Sequence, residues 1–442
     1  MGEQGAAVPP GTAAGLVTPS GRPDDSAARS LQGVAVAAHV AERVLGLLLL
    51  VVGAQLSSAS AHHALTRWDA KWYARIAEDG YGYVGIAPDG RRLADYAFFP
   101  LFPALERAVA ALTGLAAADA GLVISAASSV VAAAGIYQVG ARLHDPRTGV
   151  VLACLWSSVP VALVTSMAYT EALFTALAAW CLVAVLADRL VLAAWLAVLA
   201  GLTRPLGVAV VAAVLAAALV SAARPADGRR RRAPAGPVLA AAVAPLGLVG
   251  YLAFVRWDGE GPRSYTRVTK GWDNHVDGGR AFAAWVWELV TTRPAVGALL
   301  VAGLVLLAAA VWHTRRYPWP VIAFTLVGVL VSFSTSHYFG SRPRYLLPVF
   351  TLLLWPSTGL ARLRLPPLVL TLLLVSRVVG RRLRGAAVAG ALLVLLAAYA
   401  QLALGRHHPS DLLAGWLLAV ALVAGTAAVR QGGPEPSSQT AP

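Results

Sequence analysis

The chain has 442 residues, of which 58% are hydrophobic and 13% are charged, and its mean hydropathy is +0.66. Its 36 basic and 22 acidic side chains are too few to cover the surface of a soluble body of this size. Apolar runs of roughly 18 or more residues recur along the chain, as expected of membrane helices. Composition therefore indicates an all-α polytopic membrane protein and excludes a soluble enzyme, a secreted disulfide scaffold and a disordered protein.

The apolar runs predict about 10 to 13 transmembrane helices. The flanking segments 1–30 and 431–442 lack this pattern and are expected to be disordered tails. The predicted spans lie near 34–58, 120–141, 148–166, 171–188, 190–203, 205–222, 237–255, 294–312, 319–335, 345–360, 386–404 and 411–429.

The net charge of +14 is first of all a topology signal, because Lys and Arg gather in cytoplasmic loops. Four Arg-rich connections, at 142–147, 223–236, 313–318 and 361–385, are therefore placed in the cytoplasm. Both termini then lie on the same side, provided that 97–113 is an amphipathic interfacial helix rather than a span. Cys154 and Cys181 fall inside apolar runs and are expected to be small core residues.

This topology leaves two long loops, 59–119 and 256–293, on the extracytoplasmic side of a cell membrane. Both loops carry Arg and Lys that the topology does not require. Such positive charge suggests an anionic ligand at the membrane face, for which a lipid phosphate is the natural candidate. Contact with anionic lipid headgroups is the simpler alternative.

The first outer loop contains the segment RWDAKWYARIA, which begins at Arg67. At helical spacing Arg67, Lys71 and Arg75 share one side, while Asp69 faces another. The segment therefore predicts a helix lying on the membrane with a carboxylate close to several cations. In the alternative interpretation this helix is an interfacial anchor in which Asp69 pairs with Arg67 or another neighbour.

Four segments in order resemble the PIG-V-like mannosyltransferases, the family of GPI mannosyltransferase 2, over roughly residues 35–360. They are RWDAKWYARIAEDGYGY with the later YAFFPLFPAL, then AYTEALF, LTRPLG and FGSRPRYLLP. In the second of these segments Ala172 stands where the family has Ser. The resemblance implies a GT-C membrane fold with interfacial helices in the first outer loop. It also divides the chain into a glycosyltransferase core at 31–360 and a helical membrane extension at 361–430.

The resemblance further implies transfer of mannose from a polyprenyl-phosphate-mannose donor to an extracytoplasmic acceptor with inversion. The acceptor would be a glycolipid, a glycan or a protein, and no nucleic acid is involved. Inversion needs one general base, for which Asp69 of the Trp-Asp motif is the candidate, and cations to stabilise the leaving phosphate. The candidate phosphate ligands are Arg67, Lys71, Arg204, Arg342 and Arg344.

Two of the candidate site residues also stand out on physical grounds. Arg204 lies between two apolar runs and precedes Pro205, and a charge at a broken membrane helix indicates function. A snorkelling interfacial Arg is the alternative. Glu171 begins a span, where it is suited to hold a sugar hydroxyl, orient an Arg or bind a metal, although an acid in a first turn is also favoured by the helix dipole.

The second outer loop offers Trp272, Asp273 and His275, a polar and aromatic mixture that suits sugar binding. Binding of a divalent cation by Asp273, His275 and Asp277 is an alternative, although no tight metal-ligand spacing is present. No metal ligand is assigned and no cofactor is firmly implied. His337 precedes the SRPR run and is predicted to line the site.

The segment LGRHHPSDLLAG at 404–415 resembles the third motif of the phosphatidic-acid phosphatase type 2 superfamily. The resemblance places a catalytic His at His407 and its orienting carboxylate at Asp411. Gln401 stands where that motif has Arg, and the two earlier motifs are missing. The segment is therefore interpreted as a remnant or a helix cap. A lipid phosphatase or phosphotransferase, and a lipid or sugar transporter without chemistry, are the alternatives to the glycosyltransferase.

Overall fold

The computed structural model describes residues 25–56, 59–223, 235–258, 264–336 and 342–362. Within these ranges the chain is helical except for one small β-hairpin and the connecting loops. The first helices are α1 (Asp25–Leu56), α2 (Ala61–Leu65), α3 (Asp69–Asp79), α4 (Leu101–Thr113), α5 (Ala117–Leu143), α6 (Pro146–Ser158), α7 (Thr170–Leu186), α8 (Leu190–Gly201) and α9 (Gly207–Ala223). The later helices are α10 (Ala235–Val243), α11 (Leu246–Asp258), α12 (Ser264–Gly271), α13 (Arg280–Thr292), α14 (Pro294–Thr314), α15 (Trp319–Phe333), α16 (Arg342–Leu346) and α17 (Leu354–Ala361).

Apolar composition and length identify the membrane helices. In the described ranges four helical stretches are long and apolar enough to cross a membrane: Ala28–Leu56, Ala117–Leu143, Ala235–Asp258 and Pro294–Thr314. Shorter apolar helices, including α7, α8, α9 and α15, pack among them. The predicted all-α polytopic architecture is confirmed.

The core of the bundle is formed by α5 and α7, which pack along each other and against their neighbours. Their contact surfaces are rich in Ala, Gly and Ser, so the helix backbones approach closely. Gly140 of α5 and Gly149 of α6 are an example, because a Cβ on either would collide with the opposite helix. The helices α1 and α14 instead leave most of their apolar side chains exposed, as lipid-facing helices do.

The first long loop folds into a compact layer over one end of the bundle. It contains α3, the antiparallel strands β1 (Val84–Ile86) and β2 (Arg92–Ala94), and α4. Helix α4 has 13 residues and therefore rises only about 20 Å, which is too short for a membrane span. It packs on α3 and α5 instead, an arrangement compatible with the interfacial helix predicted for 97–113.

An aromatic cluster holds this layer together. The ring of Trp72 on α3 stacks on Phe98 at 5.6 Å between centroids, and Trp272 meets Trp72 edge-on at 5.0 Å. The indole nitrogen of Trp272 also donates to the carbonyl of Ala94 at 2.9 Å. These contacts join the two long loops to each other across α3.

Helix α3 begins two residues later than its charge pattern predicts. It starts at Asp69, and Trp68 before it has φ 57° and ψ −119°, so the helix cannot run back through Arg67. Arg67 therefore does not share a helical face with Lys71 and Arg75, which corrects that part of the prediction.

Several predicted features lie outside the described residues. They are both predicted tails apart from a few residues at 25–30, the Arg-rich stretch at 224–234, the last two predicted spans and nearly all of the extension at 361–430. His337, His407 and Asp411 belong to this group as well.

Candidate active site

Four charged side chains from distant parts of the chain meet beneath the first loop, and we call them the Asp69 cluster. They are Asp69, Glu171, Arg204 and Arg344. Nη2 of Arg344 donates to Oδ2 of Asp69 at 2.6 Å, and its Nε donates to Oε1 of Glu171. Nη1 of Arg204 lies 2.9 Å from the same Oε1 of Glu171. The two carboxylates and the two guanidinium groups thus form one chain of ion pairs.

Three members of the cluster lie where a helix begins or breaks, and the fourth lies on a helix of five residues. Asp69 is the first residue of α3 and Glu171 lies in the first turn of α7, positions at which the helix dipole favours a negative charge. Arg204 occupies the break between α8 and α9, and Arg344 lies on the short helix α16. The cluster is therefore built from irregular backbone inside a membrane bundle, where such backbone is tolerated when it is enclosed by protein or lines a cavity.

Backbone contacts fix the two carboxylate-bearing segments relative to each other. The amide of Ala168 donates to the carbonyl of Leu65 at 3.1 Å, and the hydroxyl of Tyr169 donates to the carbonyl of Arg67 at 3.3 Å. The guanidinium carbon of Arg344 lies 4.3 Å from the centroid of the Tyr169 ring. Tyr169 therefore holds both the chain before Asp69 and the cation that bridges the carboxylates.

Exposure falls from Asp69 through Arg344 to Glu171. The side chain of Asp69 is 30% exposed and that of Arg344 is 19% exposed, whereas Glu171 has no exposed surface. Arg204 is also buried. Asp69 is therefore the carboxylate that a substrate can reach, and the pair of Glu171 and Arg204 forms the closed floor beneath it.

The unusual backbone at Trp68 lies directly next to the accessible carboxylate. A left-handed φ is uncommon for a bulky residue and is maintained only when the surroundings enforce it. Here the guanidinium of Arg67 lies over the Trp68 ring at 3.8 Å, and the Trp68 carbonyl accepts from the amide of Lys71 at 3.1 Å. The side chain of Trp68 is exposed, and so is Lys71 on the next turn. Arg67 and Lys71 are thus the basic residues next to Asp69 along the chain, and Lys71 is exposed.

Arg342 is not brought into the cluster, although it lies two residues from Arg344. Its Nη1 donates to the carbonyl of Ser332 at 2.5 Å and to the hydroxyl of Thr335 at 2.9 Å, and its Nη2 donates to the Thr335 carbonyl. The side chain is buried against the end of α15. Arg342 therefore supports the segment that carries Arg344. These hydrogen bonds all go to protein groups, so the predicted contact of Arg342 with a phosphate stays a prediction.

The polar residues of the second long loop, 256–293, mainly contact that loop and its neighbours. Nδ1 of His275 lies 2.9 Å from the Ser336 hydroxyl, and the carboxylate of Asp277 accepts from the amides of Gly279 and Ala281 at 2.8 and 2.7 Å. Asp273 lies 4.0 Å from Arg91. Trp272 belongs to the aromatic cluster above α3. These residues therefore shape their own loop and its contact with the first long loop.

The geometry of the described residues does not support the divalent cation site that the sequence offered as an alternative. No group of three or more His, Cys, Asp or Glu side chains is arranged there to hold a metal ion. The carboxylate of Asp277, which the sequence offered as a ligand, is occupied as the cap of α13.

Sequence reasoning missed two residues that matter for the geometry. Tyr169 belongs to the segment AYTEALF, but nothing in its spacing revealed that its ring would carry Arg344. Glu106 of α4 is fully buried, and its two carboxylate oxygens have no hydrogen-bond partner among the described residues. A lone acid on an apolar helical face is a visible signal for Glu106, although it does not indicate what surrounds the side chain.

Comparison with protein-family models gives no match, and no curated protein matches the chain. Among solved structures the chain is similar to ArnT from Cupriavidus metallidurans bound to undecaprenyl phosphate, with 16% identity and a TM-score of 0.47 over 88% of this chain and 77% of that one. It is also similar to the archaeal oligosaccharyltransferase AglB from Archaeoglobus fulgidus in complex with an inhibitory peptide and a dolichol-phosphate, with 13% identity and a TM-score of 0.39 over 83% of this chain and 55% of that one. The chain thus spans about half the length of AglB. Because both TM-scores are low, these likenesses assign no activity.

Proposed function

We propose that the protein is a membrane glycosyltransferase that moves a sugar from a polyprenyl-phosphate donor to an acceptor hydroxyl. The observation that carries the proposal is the Asp69 cluster, which presents one reachable carboxylate on a buried, charge-compensated floor. The Trp-Asp motif that resembles the PIG-V-like mannosyltransferases supplies this carboxylate. Mannose as the sugar and a GT-C arrangement of the helices follow from that resemblance.

The proposed reaction is a single displacement at the anomeric carbon. Asp69 takes the proton of the acceptor hydroxyl while the acceptor oxygen bonds to the anomeric carbon. The bond from that carbon to the phosphate oxygen breaks, and polyprenyl phosphate leaves with the electron pair. Attack from the face opposite the leaving group inverts the configuration, so a second carboxylate nucleophile is unnecessary.

The charges near Asp69 indicate which basic residues can bind the phosphate of the donor. Within the Asp69 cluster the two carboxylates and the two guanidinium groups balance, whereas Arg67 and Lys71 add positive charge beside it. A departing phosphate gains negative charge in the transition state, so cations already in position stabilise it. Arg67 and Lys71, which the sequence resemblance offers as phosphate ligands, are the proposed phosphate ligands beside Asp69.

Glu171 is the proposed positioning residue of the site. It is fully buried and accepts from Arg344 and pairs with Arg204 through one oxygen. A buried carboxylate that is paired in this way fixes the guanidinium that contacts Asp69. Glu171 therefore orients Arg344 without touching the acceptor.

The test is a transfer assay with the purified protein in lipid nanodiscs. Polyprenyl phosphates carrying mannose, glucose or arabinose are supplied with a mixture of glycan acceptors, and loss of sugar from the lipid is followed. We expect the wild type to discharge one donor preferentially. Asp69→Asn keeps the shape of the side chain but removes the base, so turnover should fall on the order of 10²–10⁴-fold while donor binding changes little.

Asp79→Asn is the matched control. Asp79 ends the same helix, is exposed and lies 3.8 Å from Arg75, so its substitution should leave turnover unchanged. Melting curves of both variants exclude misfolding. Near-normal transfer by folded Asp69→Asn would exclude Asp69 as the general base. Failure of the wild type to discharge any donor would refute the glycosyltransferase proposal itself.

A further inference from the structure

A cavity lies at the end of the bundle opposite the Asp69 cluster, and we call it the inner cleft. Its volume is about 1180 Å³, and it is bounded by α1, the α5–α6 and α14–α15 connections, and α17. Helix α7 links the two sites, because it carries Glu171 in its first turn and ends at Leu186, which lines the inner cleft. At 1.5 Å per residue this separation is about 22 Å. The inner cleft is thus distinct from the proposed transferase site.

The rim of the inner cleft is strongly cationic. Four arginines line it: Arg142, Arg147, Arg316 and Arg362. The only lining carboxylate in the described part of the chain is that of Asp145, which accepts from the amide and hydroxyl of Thr148 at 2.9 and 3.0 Å. That carboxylate is therefore engaged in capping α6.

Positive charge at a membrane end is expected from topology alone, but its convergence on one cavity is not. Arg315 illustrates the difference, because it is exposed and adjacent to Arg316 yet does not line the inner cleft. Its guanidinium lies instead over the ring of Trp312 at 3.6 Å. The arginines that line the inner cleft are therefore a specific subset of the basic residues at this end of the bundle, and they surround one common volume.

The floor of the inner cleft consists of neutral hydrogen-bonding groups. The hydroxyl of Tyr317 lies 2.7 Å from Nε2 of His144 and 3.1 Å from Nε2 of His313. Burial raises the pKa of Tyr317 to about 12, so the phenol keeps its proton at neutral pH. A cationic rim above neutral hydrogen-bonding groups suits the oxygens of a phosphate group.

We propose that the inner cleft binds a phosphate-bearing anion, such as the headgroup of an anionic lipid, at the membrane face opposite the transferase site. A phosphate group would accept from the rim arginines, and its polar neighbours would meet the Tyr317 floor. The proposal does not depend on the glycosyltransferase assignment, because it concerns other residues and a different end of the bundle.

The experiment uses the full-length protein in nanodiscs made of equal parts phosphatidylglycerol and phosphatidylcholine. Lipids that remain bound after transfer to detergent are counted by native mass spectrometry. The wild type should retain phosphatidylglycerol, and Arg147→Gln combined with Arg316→Gln should retain it on the order of tenfold less. Arg315→Gln removes the same charge from the same face outside the cleft, so it should behave as the wild type.

A second measurement distinguishes the source of the phosphate. The melting temperature of the same proteins is followed during titration with inorganic pyrophosphate. Lipid retention without a pyrophosphate effect assigns the cleft to a lipid headgroup, and stabilisation by pyrophosphate that the double variant loses assigns it to a free phosphate. The proposal is overturned if the wild type shows neither effect, or if Arg315→Gln loses as much as the double variant.

Discussion

At the scale of single residues, two glutamates show how the surroundings of a buried carboxyl group decide its protonation state. Glu171 and Glu106 both have no exposed surface. Glu171 is compensated by Arg344 and Arg204 and is therefore well suited to remain charged inside the bundle. Glu106 lies against Gly121, and no described residue forms a hydrogen bond with its carboxylate, so its environment favours the neutral acid.

This difference predicts how stability depends on pH. Burial raises the pKa of Glu106 to about 9, and the charge of Glu78 adds to the shift. Between the ordinary pKa of a glutamate and this raised value, the folded state keeps a proton that the unfolded state releases. The free energy of unfolding therefore falls as pH rises through that window. Glu106→Gln removes the titration, so its melting temperature should decline less between pH 6 and about 8.5 than that of the wild type.

The measurement is a series of thermal melts in one detergent at constant ionic strength. Glu288→Gln is the control, because Glu288 is an exposed glutamate on α13 and its substitution should leave the slope unchanged. Equal slopes for the wild type and Glu106→Gln would show that Glu106 is not the group that titrates.

At the scale of elements, helix contacts in this bundle depend on particular glycines. Gly247 of α11 lies against the backbone of α8, where an added Cβ would overlap the carbonyl oxygen of Val198. Gly250, three residues later on the same helix, has nothing within 4 Å of that position. The two glycines therefore have different roles, since only the first permits close approach of the backbones.

Gly247→Ala should lower the melting temperature, because the extra methyl group must separate α8 from α11 and overpacking typically costs about 1–3 kcal/mol. Gly250→Ala should be neutral or slightly stabilising, since alanine is the better helix former by up to about 1 kcal/mol. Thermal melts of the two purified variants compare these effects directly. Equal destabilisation by both substitutions would contradict the close contact at Gly247.

The elements also show which parts of the fold the sequence can predict. Apolar runs locate α5, α7 and α14 because length and hydropathy are local properties of the chain. The charge spacing around Arg67 fits a helix, but Trp68 has a left-handed φ and the carbonyl of Arg67 before it accepts from the distant Tyr169, so α3 starts later than predicted. Local periodicity contains no signal for such a tertiary constraint.

At the scale of the whole molecule, the candidate site joins residues separated by as many as 275 positions. Motif resemblance and unexpected charge identified Asp69, Glu171, Arg204 and Arg344 one at a time. Their pairing could not be predicted, because it depends on how the ends of α3, α7 and α9 meet α16. For the same reason Arg342 was grouped with Arg344, although in the fold it binds the end of α15.

The two ends of the bundle differ in their relation to the membrane, and the last prediction concerns their orientation. If the Arg-rich connections are cytoplasmic, the Asp69 cluster faces the outside of the cell. Val276 is 77% exposed in the connection between α12 and α13, and Arg315 is exposed next to Arg316, at the end of the bundle that carries the inner cleft. The native Cys154 and Cys181 are buried and should remain unlabelled. A membrane-impermeant maleimide should therefore label Val276→Cys in intact cells and Arg315→Cys only after permeabilisation, whereas the reverse pattern would place the candidate active site in the cytoplasm.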